Sequence, residues 1–286
     1  MLEGKTLIIP AGWAGCAVKK DKNPADVPGA GGGNVLYVVH RNRDGLTADF
    51  AVINTGDGSQ YHPVTVEDSP DPLYKPALVF RDIPWGKITD SSLWLVLMKI
   101  QVTPSDLATV DVVYESILPF LNEKTLAATV CDNMETTSST GTSHVVLPWE
   151  PLARGSAGSL VEDVIKACSF AMLSEGMGEG KILLIDLLCR WTIAKMMHHD
   201  LTQMTDMSGS DIHMCHHTLK QLAGHGATHM SRGGVMSSGG LKALQSFIDK
   251  TRALLTDMKR SSPMAQSNPK PLRAPEKYDG YMCSDT

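Results

Sequence analysis

The spacing of the apolar residues changes once along this chain, and that change limits the fold more than any other feature. Between residue 5 and about residue 120, apolar residues alternate or form short runs bounded by Gly, Pro, Asn and Asp, as in NVLYVVH, DFAVINTG and PALVFRDIP. This pattern is typical of strands and turns. After that point the spacing is that of helices. The sequence therefore predicts an α+β fold, with an antiparallel sheet or hairpin half first and a mostly helical half after it.

Two of the strand-like runs form a predicted hairpin. VLYVV and FAVIN are separated by HRNRDGLTAD, in which Asp44-Gly45 is a strong turn signal. We expect the two runs to pair as antiparallel strands.

Helical spacing dominates the second half of the chain. In SLVEDVIKACSFAMLSEG, Glu162 and Asp163 favour the first turn of a helix, and most of the apolar residues fall on one face. That face contains Val161, Val164, Ile165, Cys168, Phe170 and Met172. The predicted organisation is a strand-rich half (1–131), a polar loop (132–144), a helical half (145–258) and a disordered tail or linker (259–286) rich in proline.

Composition narrows the classes of partner. The 286 residues are 42% hydrophobic and carry a formal net charge of -5, so neither nucleic acid nor an acidic membrane is an expected partner. No window reaches the roughly 18 to 20 apolar residues of a membrane helix. Six cysteines without a C-x-x-C pair suit reduced thiols. We expect a cytoplasmic protein, while the oligomeric state stays open.

A glycine run precedes one predicted strand, in GGGNVLYVVHRN (31–42). A phosphate-binding glycine loop follows a strand and opens a helix, so that amide groups and the helix dipole meet the anion. Here the order is reversed, because the strand comes after the glycines. The run instead indicates close approach of a substrate or another strand, and no cofactor is predicted.

Histidines are concentrated in one predicted helix. The residues of interest are His213, Cys215, His217, His225 and His229, which include two i, i+4 pairs. Such pairs can share a helix face and bind zinc. The spacing lacks a sharp zinc signature, so we interpret these residues as polar positions on a surface helix and predict no metal site.

A cysteine nucleophile needs a histidine base nearby, and two residues are candidates from chemistry alone. Cys16, in GWAGCAV, is the cysteine with a glycine-rich loop setting, whereas Cys168 and Cys189 lie within predicted helices. His62, in QYHP, follows a strand and could act as the base.

A series of motifs resembles a known family. A GW pair and glycine stretch are followed, in order, by NTGDGSQYHP, LMKIQVTPSD, VVYESILPFL, PLARGSAGSLVEDVIKACSF and SDIHMCHHTLKQLA. Over roughly residues 5–230 this order resembles the region ahead of the conserved domains in very large proteins catalogued as ubiquitinyl hydrolases. The resemblance implies a papain-like site in permuted order, with a base on one strand, an orienting Asn on the next and a nucleophile at a helix N-terminus. The helix dipole would favour a thiolate there.

The resemblance assigns roles to individual positions of this chain. Asn54 occupies the orienting position, in a turn whose remaining residues, His62 included, match the family pattern. Asn34 stands where the family has its base histidine, and an amide cannot take a proton near neutral pH. Ser159 falls at the nucleophile's place, with Gly158 as the other register. Both the base and the nucleophile are therefore replaced.

Two functions follow as expectations. The first is a deubiquitinase-type, cysteine-peptidase-like domain that is catalytically degenerate, with any residual proteolysis depending on the hydroxyl of Ser159 or the thiol of Cys16, with His62. The alternative is a non-catalytic scaffold module of a larger protein that binds ubiquitin or another protein. In both cases the expected partner is a protein.

Overall fold

The computed structural model of the protein describes residues 1–16, 31–65, 72–135, 152–153, 160–204, 208–231 and 235–261. The chain divides into two compact units, whose boundary lies between Gly176 and Met177. The first unit contains the β-sheet and the second is helical. This order confirms the predicted α+β fold.

Seven β-strands lie in the described part of the first unit. They are β1 (Thr6–Trp13), β2 (Gly33–Arg41), β3 (Thr47–Ile53), β4 (Val64–Thr65), β5 (Leu73–Tyr74), β6 (Ala77–Pro84) and β7 (Leu152–Ala153). Four of them form an antiparallel sheet in the order β1-β2-β3-β6. The strands β4, β5 and β7 pair in a second, smaller sheet.

The predicted hairpin joins β2 to β3. Its register places Leu36 opposite Ile53 and Arg41 opposite Ala48. The carboxylate of Asp44 accepts hydrogen bonds from the backbone N–H of Leu46 at 2.9 Å and from the N–H and hydroxyl of Thr47. These bonds close the turn as Asp and Gly at this position predict.

The helices of the first unit surround the sheet. They are α1 (Trp85–Ile88), α2 (Ser91–Val102), a π-helical stretch (Val112–Ile117), α3 (Leu118–Asn122), α4 (Leu126–Glu135) and α5 (Leu160–Ser174). Because α4 continues to Glu135, residues 132–135 are helical, contrary to their predicted place in the polar loop. Residues 136–144 of that loop lie outside the described residues.

Side chains of the sheet alternate between two apolar layers. Val35, Tyr37 and Val39 of β2 pack into the layer that also contains apolar residues of α2, the π-helical stretch and α4. Leu36 and Val38 point to the opposite face and pack with Ala167 and Phe170 of α5. The helix α5, which the sequence assigned to the helical half, therefore covers one face of the sheet, whereas the helices before it cover the other.

An asparagine occupies the open edge of β6. The side chain of Asn133 accepts a hydrogen bond from the N–H of Val79 at 3.0 Å and donates one to its carbonyl at 2.8 Å. A strand edge presents unpaired N–H and C=O groups to any passing strand. Asn133 satisfies both groups at Val79 and so blocks strand addition at that position.

Three long helices lie in the described part of the second unit. They are α6 (Glu179–Gln203), α7 (Gly209–Ser231) and α8 (Ser238–Ser261). Their contacts bury two apolar clusters, one around Leu219 and Leu255 and one around Leu187 and Leu222. Helix α8 extends three residues past the predicted end of the helical half, and residues 262–286 of the predicted tail lie outside the described residues.

None of the described helices combines the length and the hydropathy needed to cross a lipid bilayer.

Candidate functional site

The segment that resembles the family's turn, residues 54–62, directly follows β3 and is called here the 54–62 turn. Asn54 is buried, and its side chain ties the turn together. The oxygen Oδ1 accepts a hydrogen bond from Gly56 N–H at 2.8 Å, while Nδ2 donates to the carbonyl of Asp57 at 2.7 Å. The second Nδ2 proton goes to the hydroxyl of Tyr114, at 3.1 Å. Both amide protons and an oxygen lone pair of Asn54 are thereby used inside the protein.

Tyr114 links Asn54 to His62. The ring nitrogen Nδ1 of His62 lies 2.9 Å from the carbonyl oxygen of Lys75, and Nε2 lies 2.9 Å from the Tyr114 hydroxyl. A carbonyl oxygen only accepts, so Nδ1 must carry the proton and Nε2 must accept from Tyr114. The result is a directed chain of hydrogen bonds from Asn54 through Tyr114 and His62 to the backbone at Lys75.

Burial keeps the His62 and Tyr114 side chains of this chain of hydrogen bonds uncharged. His62 is 1% exposed, and desolvation lowers its pKa to about 4. Burial also raises the pKa of Tyr114 well above its ordinary value. Tyr114 is clamped further by Tyr61, whose ring stacks on it at a centroid distance of 4.9 Å. Near neutral pH both groups are uncharged, and the candidate base His62 has its acceptor nitrogen occupied by Tyr114.

A second contact joins the 54–62 turn to α5. The Asp163 oxygen Oδ1 accepts hydrogen bonds from the N–H of Thr55 at 2.9 Å and from its hydroxyl at 2.8 Å. Asp163 is 3% exposed, and burial, with a smaller contribution from Glu162, raises its pKa to about 6. The start of α5, the helix that follows the expected nucleophile position, therefore lies against Thr55, the residue after Asn54.

The expected apolar face of α5 differs from the buried one. Val161 and Val164 are 50% and 44% exposed, whereas Asp163 and Lys166 are almost completely buried. The apolar pattern predicted the opposite for these positions. Asp163 and Lys166 can be buried because each has a polar partner. Asp163 accepts hydrogen bonds from Thr55, and Lys166 lies 3.4 Å from Glu162 in an i, i+4 ion pair.

Asn34 and Asn54 lie at the same end of the sheet but belong to opposite layers. Asn34 is exposed and pairs with Gly12 of β1. Strand alternation gives Asn34 the face of Leu36 and Val38, which α5 covers. The side chain of Asn54 instead reaches Tyr114 in the other layer. The structure thus brings together Asn54 and His62, with Asn34 directed to the other face; Ser159 and Gly158 lie outside the described residues.

The other candidate nucleophile, Cys16, follows β1 at the same end of the sheet. Its thiol is free and partly exposed. The preceding Gly15 is held by backbone hydrogen bonds to Ala108 at 2.8 Å and from Ser105 at 3.1 Å. Within the described residues no hydrogen bond joins Cys16 to a histidine.

The glycine run has a structural explanation in β1. A Cβ atom at Gly33 would lie 2.1 Å from the Trp13 ring, and one at Gly32 would lie 2.9 Å from the Trp13 carbonyl. Gly12 has φ +153°, and a Cβ there would lie 2.0 Å from the carbonyl oxygen of Gly33. Of the two partners expected for these glycines, the structure supplies the neighbouring strand. A phosphate-binding glycine loop would be followed by a helix, whereas here the strand β2 begins at Gly33.

The histidine-rich helix is α7, and three of its five candidate ligands have other contacts, while His213 and His217 are exposed. His225 lies 3.0 Å from Asp186, His229 accepts the N–H of Met236 at 3.0 Å, and Cys215 is buried in an apolar cluster. In the part of the chain that the structure describes, no group of three or more His, Cys, Asp or Glu side chains is arranged to hold a metal ion.

Among the described residues, Cys16, Cys189 and Cys215 have free thiols. Cys131 is disulfide-bonded, so the expectation of reduced thiols is wrong at that position.

Three residues of the site escaped sequence reasoning. Tyr114 sits in a run whose spacing indicates a helix core and gives no sign of its polar role. Thr55 reads as an ordinary turn residue, and Asp163 reads as a residue that favours the helix dipole. The usable signal was the i, i+4, i+7 spacing of Asp163, Ala167 and Phe170, which places a carboxylate on one face with two apolar residues, where it needs hydrogen-bond donors.

Comparisons of this chain with family models, with curated proteins and with solved structures found no match.

Proposed function

We propose that this chain is a protein-binding module with a cysteine-peptidase-like site that has lost its chemistry, and that ubiquitin is the first partner to test. The observation that carries the loss of chemistry is the state of His62. Its two ring nitrogens are occupied by Lys75 and Tyr114, and it is 1% exposed. A general base must reach the proton that it removes, and Nε2 of His62 reaches only the Tyr114 hydroxyl.

The other two positions of the proposed site support the same conclusion. Asn34 replaces the base of the resembled family, and its amide has no basic lone pair. The side chain of Asn54, the orienting residue, forms its hydrogen bonds with the turn and with Tyr114, and not with a catalytic imidazole. What persists is a hydrogen-bonded turn beside the start of α5, which suits a folded binding surface better than a reaction centre.

The surface of α2 supports a role in protein contacts. Leu95, Val96, Met98 and Val102 are all exposed, with exposed fractions between 46% and 71%. Scattered exposed apolar residues are ordinary, but four on one helix of three turns resemble a contact surface. Ubiquitin as the partner rests on the resemblance of the NTGDGSQYHP and ARGSAGSLVED motifs to the ubiquitinyl hydrolase region.

One experiment separates binding from catalysis. The protein is incubated with a ubiquitin that carries an electrophilic C-terminus, and covalent capture is followed by intact mass. In parallel, titration of ¹⁵N-labelled unmodified ubiquitin is followed by NMR. We expect reversible shift changes in the titration and no covalent adduct. If the spectra showed no shift changes and no adduct formed, ubiquitin binding would be refuted. Formation of an adduct would refute the loss of chemistry.

Cys16 favours the enzymatic alternative, because it is a free, partly exposed thiol at the same end of the sheet as Asn34. An adduct that disappears in Cys16→Ala and persists in Cys189→Ala would identify Cys16 as the nucleophile. Cys189 is the matched control, since it is also free and is exposed. Restoring the family residues with Asn34→His and Ser159→Cys should create capture if the permuted alignment is correct.

A further inference from the structure

The contact between Asp163 and Thr55 links the first turn of α5 to the 54–62 turn. Both residues are buried, with 3% and 4% exposure. Two hydrogen bonds converge on one carboxylate oxygen, one from a backbone N–H and one from a hydroxyl. Because Oδ1 receives both bonds, Oδ2 can carry a proton without breaking either of them.

The charged residues described around Asp163 leave its buried carboxylate without an ion pair. Within the described residues no lysine, arginine or histidine forms an ion pair with it. On its own helix, Glu162 is a like charge, and Lys166 is paired with Glu162 at 3.4 Å. The neutral hydroxyl of Tyr114, in the π-helical stretch, lies near Asp163. Asp57 of the 54–62 turn is a second negative charge near that hydroxyl.

A buried carboxyl without an ion pair holds its proton more tightly than one in water. Desolvation, the largest effect, disfavours the charged form, and Glu162 adds to it, while the two hydrogen bonds from Thr55 offset part of it. If the first turn of α5 opened, Asp163 would enter water and regain an ordinary acidity. The closed contact therefore binds a proton more tightly than the open one, and opening becomes easier as the pH rises.

We propose that Asp163 and Thr55 form a proton-linked clasp, which holds the start of α5 on the 54–62 turn when Asp163 is neutral and loosens when Asp163 ionises. The clasp is a property of the free protein and does not depend on the proposed partner. It operates between mildly acidic and neutral pH, where the raised pKa of about 6 places the ionisation of Asp163.

Amide hydrogen exchange tests the clasp directly. Protection factors of Thr55 and of the first two turns of α5 are compared at about pH 5 and about pH 7.5, after correction for intrinsic exchange. We expect a loss of protection of roughly tenfold or more at the higher pH, since each pKa unit between the closed and open states is worth a factor of ~10. Amides of α8 should keep their protection and serve as an internal reference.

Two variants separate the clasp from a general effect of pH. Asp163→Asn keeps an oxygen for Thr55 but cannot ionise, so its protection should be equal at both pH values. Asp106→Asn removes an exposed carboxylate of the same unit and should retain the wild-type loss. Equal protection of the wild type at both pH values would overturn the proposal, as would an undiminished loss in Asp163→Asn.

A third variant keeps the proposal testable if Asp163→Asn does not fold. Glu162→Gln removes the like charge beside Asp163 and should lower the pKa of its carboxyl. The difference in proton affinity between the closed and open states then shrinks, so the loss of protection between about pH 5 and about pH 7.5 should be smaller than in the wild type. Breaking the ion pair between Glu162 and Lys166 affects protection at both pH values and cancels in this comparison. A loss equal to or greater than that of the wild type would contradict the clasp.

Discussion

The hydroxyl of Tyr114 lies 2.9 Å from Nε2 of His62 and donates its proton to that nitrogen. The bond decides the character of the site, because it fixes His62 as a neutral imidazole with its proton on Nδ1. It also joins two segments far apart in sequence, the π-helical stretch and the 54–62 turn. The hydrogen-bond chain that results is completed within the protein and leaves no acceptor nitrogen of His62 for a ligand.

Tyr114→Phe should destabilise the first unit by about 2–4 kcal/mol. The change keeps the ring, and with it the stacking on Tyr61, but removes the partner of both Asn54 and His62. Each buried polar group left without a partner costs about 1–3 kcal/mol. Urea unfolding monitored by circular dichroism measures the loss. A loss below about 0.5 kcal/mol would show that the hydrogen-bond chain does not stabilise the turn.

Tyr37→Phe is the matched control, and it should be neutral or stabilising. The hydroxyl of Tyr37 is buried without a hydrogen-bond partner among the residues that the structure describes, and Tyr37 is 1% exposed. A buried hydroxyl without a partner has lost its water and gained nothing, so its removal should raise stability by about 0–2 kcal/mol. The same urea titration applies. Clear destabilisation would mean that the Tyr37 hydroxyl has a partner in solution.

Gly33→Ala should destabilise strongly, whereas Gly31→Ala should not. A methyl group at Gly33 would lie 2.1 Å from the Trp13 ring, which is itself packed edge-on against Tyr114, while no described residue lies within 4 Å of a Cβ at Gly31. Forcing Trp13 aside should cost about 2–4 kcal/mol, against less than about 0.5 kcal/mol for Gly31→Ala. Thermal unfolding of the two variants compares them. Equal effects would exclude the Trp13 contact as the reason for the glycine.

Sequence patterns could predict the sheet and the helices here because both depend on periodicity that is visible locally. The β2–β3 hairpin and its turn at Asp44 follow from alternation and turn chemistry. The buried face of α5 did not follow, because the burial of Asp163 depends on Thr55, more than a hundred residues away. The same reason hid Tyr114, whose hydroxyl finds partners only in the folded chain. The roles of Asn54 and His62 were predicted only as positions, not as members of one hydrogen-bond chain.

His62 should remain neutral well below the pH at which an exposed histidine charges. Its pKa is lowered to about 4 by burial, and the carbonyl of Lys75 requires the proton on Nδ1. In ¹⁵N-resolved NMR spectra at about pH 5, His62 should show the signals of the neutral Nδ1–H tautomer. A charged His62 at that pH, or the other tautomer, would contradict the bond from Tyr114.

The pH dependence of unfolding should reveal opposite effects of His62 and Asp163. The folded pKa of His62 lies near 4, below its ordinary 6.5, so its contribution is present above 6.5 and is lost as the pH falls through 4. The folded pKa of Asp163 lies near 6, above its ordinary 3.8, so its contribution is present below 3.8 and is lost as the pH rises through 6. Between these limits the two effects largely cancel in the wild type.

Asp163→Asn should remove one side of this balance. At roughly 1.4 kcal/mol per pKa unit, stability of the variant relative to the wild type should rise by about 2 kcal/mol between pH 4 and pH 6, because only the wild type must ionise a buried carboxyl. Urea unfolding of both proteins across this range measures the difference, and the other titrating groups cancel in it. A difference that is independent of pH would mean that Asp163 has an ordinary acidity in the folded state, and that Thr55 holds it as a carboxylate throughout.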